Sequence, residues 1–302
     1  MIDSNAALLA RRRCHFWLGN FSGDNFQYGK FQAYCIFWAK QGVLVLQPTV
    51  SDRSFQYGDG IFTTMLVDNS QLVLWDLHWQ RLAQSLQRLQ MPPLNEQAVK
   101  LQAEQAITTP SQVVKLLVSR GQGGRGYSPA GFHEPLVYVT NSPLPDYQQQ
   151  RQLGIRLGVA SLQLSTQPLL AGIKHTSRLE TVLLKAEAEQ SAFDDLIVCD
   201  QQGRVTELCA ANLFFKIKGQ WCTPKLDQAG VAGVMRLWLL QHMDVQQGYY
   251  PVTALDDATA MFASNALMGV VPVQQFKQRP FNVDEVRPIQ QLVPFLAGKI
   301  SC

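Results

Sequence analysis

The side chains of this sequence that could do chemistry are few, and they lie far apart along the chain. Lys174 stands between an apolar run, Leu169-Leu170-Ala171-Gly172-Ile173, and the helical pattern that follows it. An ammonium is costly to bury unpaired, so a solvated loop lysine is the plain reading. The chemical reading is an amine whose pKa falls on desolvation and which then condenses with an aldehyde. Glu207 occupies a short strand pattern in which Val205, Glu207 and Cys209 share one face. It is either an ordinary exposed strand glutamate or a carboxylate held by a partner. Gly233-Val234-Met235 opens another helical pattern, and a helix start offers unpaired N–H groups and a positive dipole end to an anion. Arg81, within an earlier helical pattern, is a further anion ligand or a solvated helix charge.

One motif is rejected. Gly121-Gln122-Gly123-Gly124-Arg125-Gly126 satisfies the G-x-G-x-x-G spacing after a strand pattern. A dinucleotide site also needs a helix opening at the last glycine. Tyr127-Ser128-Pro129 and Pro135 forbid a continuous helix there, and no acidic residue ends a following strand where a ribose partner would sit. The segment is either a surface loop or a substrate loop whose glycines let Arg125 and Tyr127 approach a ligand. His133 carries no signal, and His175 reads as structural more readily than as an acid or base.

Composition narrows the function classes. The 302 residues are enough for about two domains, and with 46% hydrophobic and 16% charged residues the chain can bury sizeable cores. A formal net charge of +3 gives no broad basic field for nucleic acid. Six cysteines without a Cys-x-x-Cys pair suit reduced thiols in a cytoplasmic protein better than disulfides or a metal site. The stretch 258–276 lacks charge but contains Ser264, Asn265, Gly269 and Pro272, which suits a buried segment and not a membrane span. Arg11-Arg12-Arg13 is not followed by an apolar run, so a secretory signal is not expected.

The elements that must position these residues can be traced along the chain. Residues 1–35 show no sustained period and read as an extension. Residues 43–46 are strand-like, 51–60 form a glycine-punctuated turn and 61–67 read as a strand. Asp76 can N-cap a helix with a stripe of Leu77, Leu82, Leu86 and Leu89, broken at Pro92-Pro93. Residues 113–119 and 136–140 are further strands. Asn141-Ser142-Pro143-Leu144-Pro145-Asp146 is the best domain boundary, placing a smaller domain at 36–145 and a larger one at 146–302. The larger opens with a strand near 155–164, then a helix over 178–190 with Leu179, Val182, Leu183 and Ala186 on one face. Strands at 196–199 and 205–209 flank a Gln-Gln-Gly turn. A hairpin over 213–223 turns at Lys218-Gly219-Gln220, and a helix covers 234–242. Asn212 reads as packing or turn bonding. Irregular alternation of strands and helices implies an α+β chain of two unequal lobes.

Three segments taken together carry a resemblance: Ala171-Gly172-Ile173-Lys174-His175-Thr176-Ser177-Arg178-Leu179-Glu180, Thr206-Glu207-Leu208-Cys209-Ala210-Ala211-Asn212-Leu213-Phe214, and Gly230-Val231-Ala232-Gly233-Val234-Met235-Arg236. With Ser51-Asp52-Arg53, Tyr57-Gly58-Asp59-Gly60, His78-x-x-Arg81-Leu82, Gly123-Gly124-Arg125-Gly126-Tyr127-Ser128 and Ser264-Asn265-Ala266-Leu267-Met268, the chain resembles the fold-type IV pyridoxal-phosphate enzymes. That group contains the branched-chain and D-amino-acid aminotransferases, and the resemblance runs over about residues 37–273. It implies a two-domain α+β fold, with a smaller α/β N-terminal domain and a larger C-terminal pseudo-barrel domain that anchors pyridoxal 5'-phosphate. It further implies that Lys174 forms the Schiff base and acts as base, and that Glu207 pairs with the pyridine nitrogen. Arg81, Gly233, Val234, Met235, Ser264, Asn265 and Ala266 would hold the phosphate. Arg125 and Tyr127 would meet the substrate, and Thr64 or Lys174 would donate a proton. The chain would be a cytoplasmic homodimer acting on a small molecule, with no metal, nucleic-acid or membrane partner. The Gly-Gly-Arg-Gly-Tyr-Ser loop and the Lys174-His175-x-x-Arg178-Leu179-Glu180 run are more similar to the family's carbon–oxygen lyases than to its aminotransferases. An aminotransferase, or a non-catalytic small-molecule-binding protein on the same fold, are the alternatives.

Overall fold

The computed structural model describes residues 38–40, 43–45, 48–124, 126–132 and 134–295; the extension read at 1–35 lies outside the described residues. Strands β1 (Trp38–Lys40) and β2 (Val43–Val45) form an antiparallel hairpin. The turn at 51–60 contains a helical turn, α1 (Arg53–Tyr57), capped by the Asp52 carboxylate, which accepts from Ser54 N. Gly58 ends it at φ +68°, where a Cβ would lie 2.1 Å from Ser177 Oγ, so only glycine lets this turn approach the lysine segment.

Strands β3 (Gly60–Asp68), β4 (Gln71–Leu72), β5 (Gln112–Ser119) and β6 (Leu136–Ser142) make an antiparallel sheet in the order β4-β3-β5-β6. Alternation of side chains divides its two faces. Ile61, Met65, Val67, Val114, Leu116 and Val118 are buried in one core with Leu82 and Leu86 of helix α2 (Trp75–Arg88) and Val99 and Ala103 of α3 (Glu96–Gln105). Phe62, Thr64, Lys115 and Leu117 occupy the other face, with Thr64 opposite Lys115 across β3 and β5. Asp76 does not cap α2 as its sequence position suggests. The helix begins two residues earlier than that, at Trp75, behind Leu74 at φ +56° and without a side-chain cap, so Asp76 sits in the first turn. Asn95 does cap α3, accepting from Ala98 N at 3.0 Å.

After a short helix, α4 (Gln148–Leu153), the remaining strands form a nine-stranded mixed sheet. They are β7 (Ile155–Val159), β8 (Asp195–Cys199), β9 (Val205–Leu208), β10 (Asn212–Ile217), β11 (Gln220–Pro224), β12 (Val245–Gly248), β13 (Ala260–Asn265), β14 (Gly269–Phe276) and β15 (Arg279–Pro280). Their order is β12-β11-β10-β13-β14-β7-β8-β9, with β15 beside β14. The uncharged stretch of the sequence supplies β13 and β14, whose Met261, Ala263, Val271 and Val273 share a core with Leu157, Ile197, Leu213 and Phe215.

Helix α5 (Leu179–Gln190) has the expected extent but turns its other side inward. Leu184 and Ala188 pack with Leu196 and Val198 of β8. Leu179, Val182 and Leu183, expected as its core face, are 79%, 60% and 58% exposed. Helix α6 (Val234–His242) crosses the sheet with Met235, Trp238 and Leu239 inward, and α7 (Arg287–Leu292) closes the described chain. Cys199, Cys209 and Cys222 are buried and free. Among the described residues no helix is long and apolar enough to cross a membrane, and no His, Cys, Asp and Glu group could hold a metal.

Candidate active site

The segment around Lys174 is stitched into place from three sides. Phe62 N of β3 donates to Lys174 O at 2.9 Å, and Thr176 N donates to Gly60 O at 2.9 Å. On the opposite side Gly172 N donates to Gly230 O and Ala232 N to Gly172 O. From α2, Arg88 donates to the carbonyls of Ala171, Pro168 and Leu169 at 2.8–3.0 Å. Arg178 brackets the lysine from within, donating to His175 O at 2.9 Å and Ile173 O at 2.8 Å. The backbone of Lys174 is therefore fixed, while its amine extends 4.6 Å from the centroid of the Phe62 ring. Lys115 Nζ lies 4.8 Å from the same ring.

Glu207, on β9, accepts from Val231 N at 2.9 Å. Asn212, at the start of β10, accepts from Gly233 N at 3.1 Å and donates to Val231 O at 2.9 Å, which is turn bonding as its position suggests. A Cβ on Gly233 would lie 2.1 Å from that Asn212 oxygen, so glycine is required for the clamp. The clamp sets the start of α6, whose first intrahelical bond is Leu237 N to Gly233 O. The N–H groups of Val234, Met235 and Arg236 are thus left without intrahelical partners. Arg81 reaches this helix start from α2, donating to Ala232 O at 3.2 Å. Ser264 sits opposite Asn212 in the β10–β13 register, fully buried, and its hydroxyl has no hydrogen-bond partner among the described residues.

The expected set divides on this geometry. Lys174, Glu207, Arg81, Gly233, Val234, Met235 and Ser264 are tied to one neighbourhood by these bonds and registers. Thr64 follows Phe62 by one strand repeat on the same face of β3. The Asn265 side chain is already committed, accepting from Leu267 N and Met268 N and donating to Ala210 O, so any part it and Ala266 take in binding falls to the backbone at this strand end. Tyr127 is 83% exposed and meets Tyr57 edge-on, and no bond joins it to the lysine. Its carbonyl and that of Gly126 accept from Arg53, the buried anchor of the glycine loop. Arg125 and His133 lie outside the described residues. Sequence reading missed Lys115, a single charge in the apolar run Val113-Val114-Lys115-Leu116-Leu117, and gave no role to Arg178 or Arg236.

The electrostatics are those of a desolvated and mostly cationic site. Burial lowers Lys174 to about 8, helped by Arg81, Arg178 and Lys115 and opposed by Glu207. Glu207 is raised to about 7, because desolvation outweighs Val231 N–H, Arg178, Lys174 and Arg236. Desolvation also lowers Arg81 and Arg236 to about 10. His175 falls to about 4, first by desolvation and then by Arg178. Among the described residues no carboxylate lies within ion-pair distance of Lys174, Arg81, Arg178 or Arg236. Free helix N–H groups, an unpaired guanidinium and an orphaned buried hydroxyl form a donor set that fits a phosphate dianion. A depressed amine and a carboxylate beyond it fit the aldehyde and the pyridine nitrogen of pyridoxal phosphate.

Comparisons with known proteins agree with that fit. Residues 60–276 match the model of amino-transferase class IV, a pyridoxal-phosphate-dependent family. The chain is 37% identical to an aminodeoxychorismate lyase of Vibrio harveyi, across 88% of this chain and 100% of that protein. It is similar in structure to the 4-amino-4-deoxychorismate lyase of Pseudomonas aeruginosa, with 31% identity and a TM-score of 0.77 over 82% of this chain and 96% of that one. The Escherichia coli branched-chain amino acid aminotransferase shares the fold, at 20% identity and a TM-score of 0.75, over 86% of this chain and 94% of that one. With its lysine, its glutamate and its phosphate-ready helix start in one neighbourhood of that fold, the chain belongs to the aminotransferase class IV family.

Proposed function

We propose that the protein converts 4-amino-4-deoxychorismate to 4-aminobenzoate and pyruvate with pyridoxal phosphate, a step in making folate precursors. The observation that carries this reading is the excess of cations acting on Lys174, which are Arg81, Arg178 and Lys115 against Glu207, with Arg236 on the far side of that carboxylate. Such a site suits a phosphorylated cofactor together with a substrate bearing two carboxylates. The identity to the Vibrio harveyi lyase over that protein's whole length supports the same choice.

The chain's own residues divide the work as follows. Lys174, lowered to about 8, is neutral in a useful fraction near neutral pH, so it can hold the cofactor and, once displaced by the substrate amine, act as base. Glu207 would hold the pyridine nitrogen, and Arg81, the N–H groups of Val234 and Met235 after Gly233, Ser264 and the backbone at Asn265 and Ala266 would hold the phosphate. Bound pyridoxal phosphate supplies the electron sink that stabilises the electron pair left when a C–H bond beside the substrate amine breaks. Lys174 Nζ takes that proton from the ring carbon. The C–O bond to the enolpyruvyl group then breaks, its methylene gains a proton from Thr64 or Lys174, and the ring becomes aromatic. Lys115, on the Phe62 face, is placed to meet a substrate carboxylate, and the sequence resemblance assigns Arg125 and Tyr127 to the substrate as well.

The working form in this reading is a cytoplasmic homodimer whose smaller domain ends near Pro145. The exposed Leu169, Leu179, Val182 and Leu183 supply an apolar surface for a second copy. The test is to give cofactor-loaded protein 4-amino-4-deoxychorismate and measure both products. Equal amounts of pyruvate and 4-aminobenzoate are expected. Cofactor-loaded protein that released neither, but passed an amino group from an amino acid to a keto acid, would be an aminotransferase instead.

A further inference from the structure

Behind Arg81 lies a buried polar chain that the reaction itself does not use. Thr63 of β3 points to the helix side of its sheet and is fully buried, and His78 is 1% exposed one helical turn before Arg81. Arg81 Nη2 donates to Thr63 Oγ1 at 2.6 Å, and Thr63 Oγ1 lies 2.6 Å from His78 Nδ1. A guanidinium can only donate, so the hydroxyl oxygen accepts from Arg81 and its single proton must go elsewhere. Among the described residues His78 Nδ1 is its one available acceptor, which assigns the imidazole as neutral with its proton on Nε2. Burial and the neighbouring Arg81 push His78 well below the ordinary histidine range, in keeping with that assignment. The bonds to Thr63 and Ala232 O hold Nη2 and Nη1, and the remaining donors of Arg81 have no partner among the described residues.

Accepting the role of Arg81 as phosphate ligand, we infer that His78 is a positioning residue that sets the aim of that guanidinium through Thr63. By taking the hydroxyl proton, His78 turns a lone pair of Thr63 toward Arg81 and holds the guanidinium in one rotamer before the phosphate arrives. Without the imidazole, the Thr63 proton has no acceptor, and the hydroxyl is free to rotate and release the guanidinium. The same inference gives the His78-x-x-Arg81 spacing a cause, since residues three apart on a helix present neighbouring side chains to one strand position.

The test compares how tightly cofactor-free protein binds pyridoxal phosphate and pyridoxal, which lacks the phosphate, by absorbance titration. His78→Leu should weaken pyridoxal phosphate about fivefold to tenfold, the worth of one buried hydrogen bond, and leave pyridoxal nearly unchanged. His78→Asn, whose Oδ1 can stand near the place of Nδ1, should recover most of the loss. Equal weakening of both ligands, or of neither, would overturn the inference, because damage to packing alone does not distinguish them. Arg81→Gln tests the underlying assignment: no phosphate-dependent loss there would remove Arg81 from the site and the inference with it. A loss with Arg81→Gln but none with His78→Leu would overturn only the role of His78. Should His78→Leu fail to fold, Thr63→Val against Thr63→Ser decides, with the phosphate-dependent loss expected for valine alone.

Discussion

Two clusters of buried charge sit at opposite ends of the same short turn, and they are built on contrary rules. At one end Asp59 accepts from Arg53 and from Arg120, both at 2.8 Å. The other guanidinium donors of this pair go to carbonyls at Gly126 and Tyr127, or at Leu89 and Gln90. Asp52 beside them accepts from Ser54, Ser119 and Tyr138. At the other end, beyond Gly60, stand Lys174, Arg81, Arg178 and Arg236, with no carboxylate in ion-pair range among the described residues, and the orphaned Ser264 hydroxyl. The first cluster closes on itself and holds the loops of the fold. The second keeps donors in reserve, and that reserve separates a site awaiting an anionic ligand from a structural network.

The contrast predicts opposite outcomes for the two clusters. Lys174→Ala should lower pyruvate release by at least ~1000-fold, since it removes both the attachment point and the base. The same change should leave the cofactor-free protein at least as stable as wild type, because the amine's pKa is depressed to about 8 and its charged form opposes folding below that pH. Asp59→Ala should act the other way. It leaves two buried guanidinium groups facing each other, and loss of about 3–5 kcal/mol in denaturant unfolding is expected. A stable Asp59→Ala protein, or an unstable Lys174→Ala one, would break the distinction.

A pH series sharpens it. Glu207 is raised to about 7 in the folded protein from an ordinary value of 4.5, so the folded state holds its proton more tightly than the unfolded chain does. Its protonated form is tolerated below pH 4.5, and the cost of ionisation grows as pH rises through 7. Cofactor-free Glu207→Gln has no such proton to lose. Its stability relative to wild type should therefore increase between pH 5 and 8, by on the order of 2–3 kcal/mol, in paired unfolding experiments. A flat difference would mean that the carboxylate is well solvated.

How much of this was legible in the sequence follows the same physics. Periodicity located β3, β5 and β6 of the smaller sheet, β7 to β11 of the larger one and α6, because apolar residues at fixed spacing report which face is buried, but it left the strands after α6 unread. It gave the extent of α5 but not its buried side, since an apolar stripe at Leu179, Val182 and Leu183 is recognised without knowing what covers it, and among the described residues these three stay exposed. Asp76 failed as a cap because capping depends on the backbone angles of the residue before the helix, which side-chain type does not reveal. In the site, Lys174, Glu207 and the Gly233 helix start stood out through local motifs. Lys115 and Thr63 did not, and the His78-x-x-Arg81 spacing appeared without the strand hydroxyl that joins its two ends. They meet their partners only when β3, β5 and α2 are assembled, and no local spacing encodes that.

Two serines give the finest comparison. Ser264 and Ser119 are both fully buried, one in each cluster. Ser119 Oγ donates to Asp52 at 2.7 Å and accepts from Gly121 N at 3.1 Å, so Ser119→Ala takes one donor from a buried carboxylate, leaves the Gly121 N–H without its acceptor and should cost about 1–2 kcal/mol with or without cofactor. The Ser264 hydroxyl has nothing to lose in the free protein. Removing a buried group that makes no hydrogen bond relieves its desolvation, so Ser264→Ala should be neutral or stabilising by up to ~1 kcal/mol without cofactor. With pyridoxal phosphate present the sign should reverse, because the variant gives up a donor to the phosphate. Thermal unfolding of both variants, free and cofactor-loaded, measures the two differences. A Ser264→Ala protein that is destabilised equally in both states would place this hydroxyl in the structural class with Ser119, and would withdraw β13 from the phosphate site.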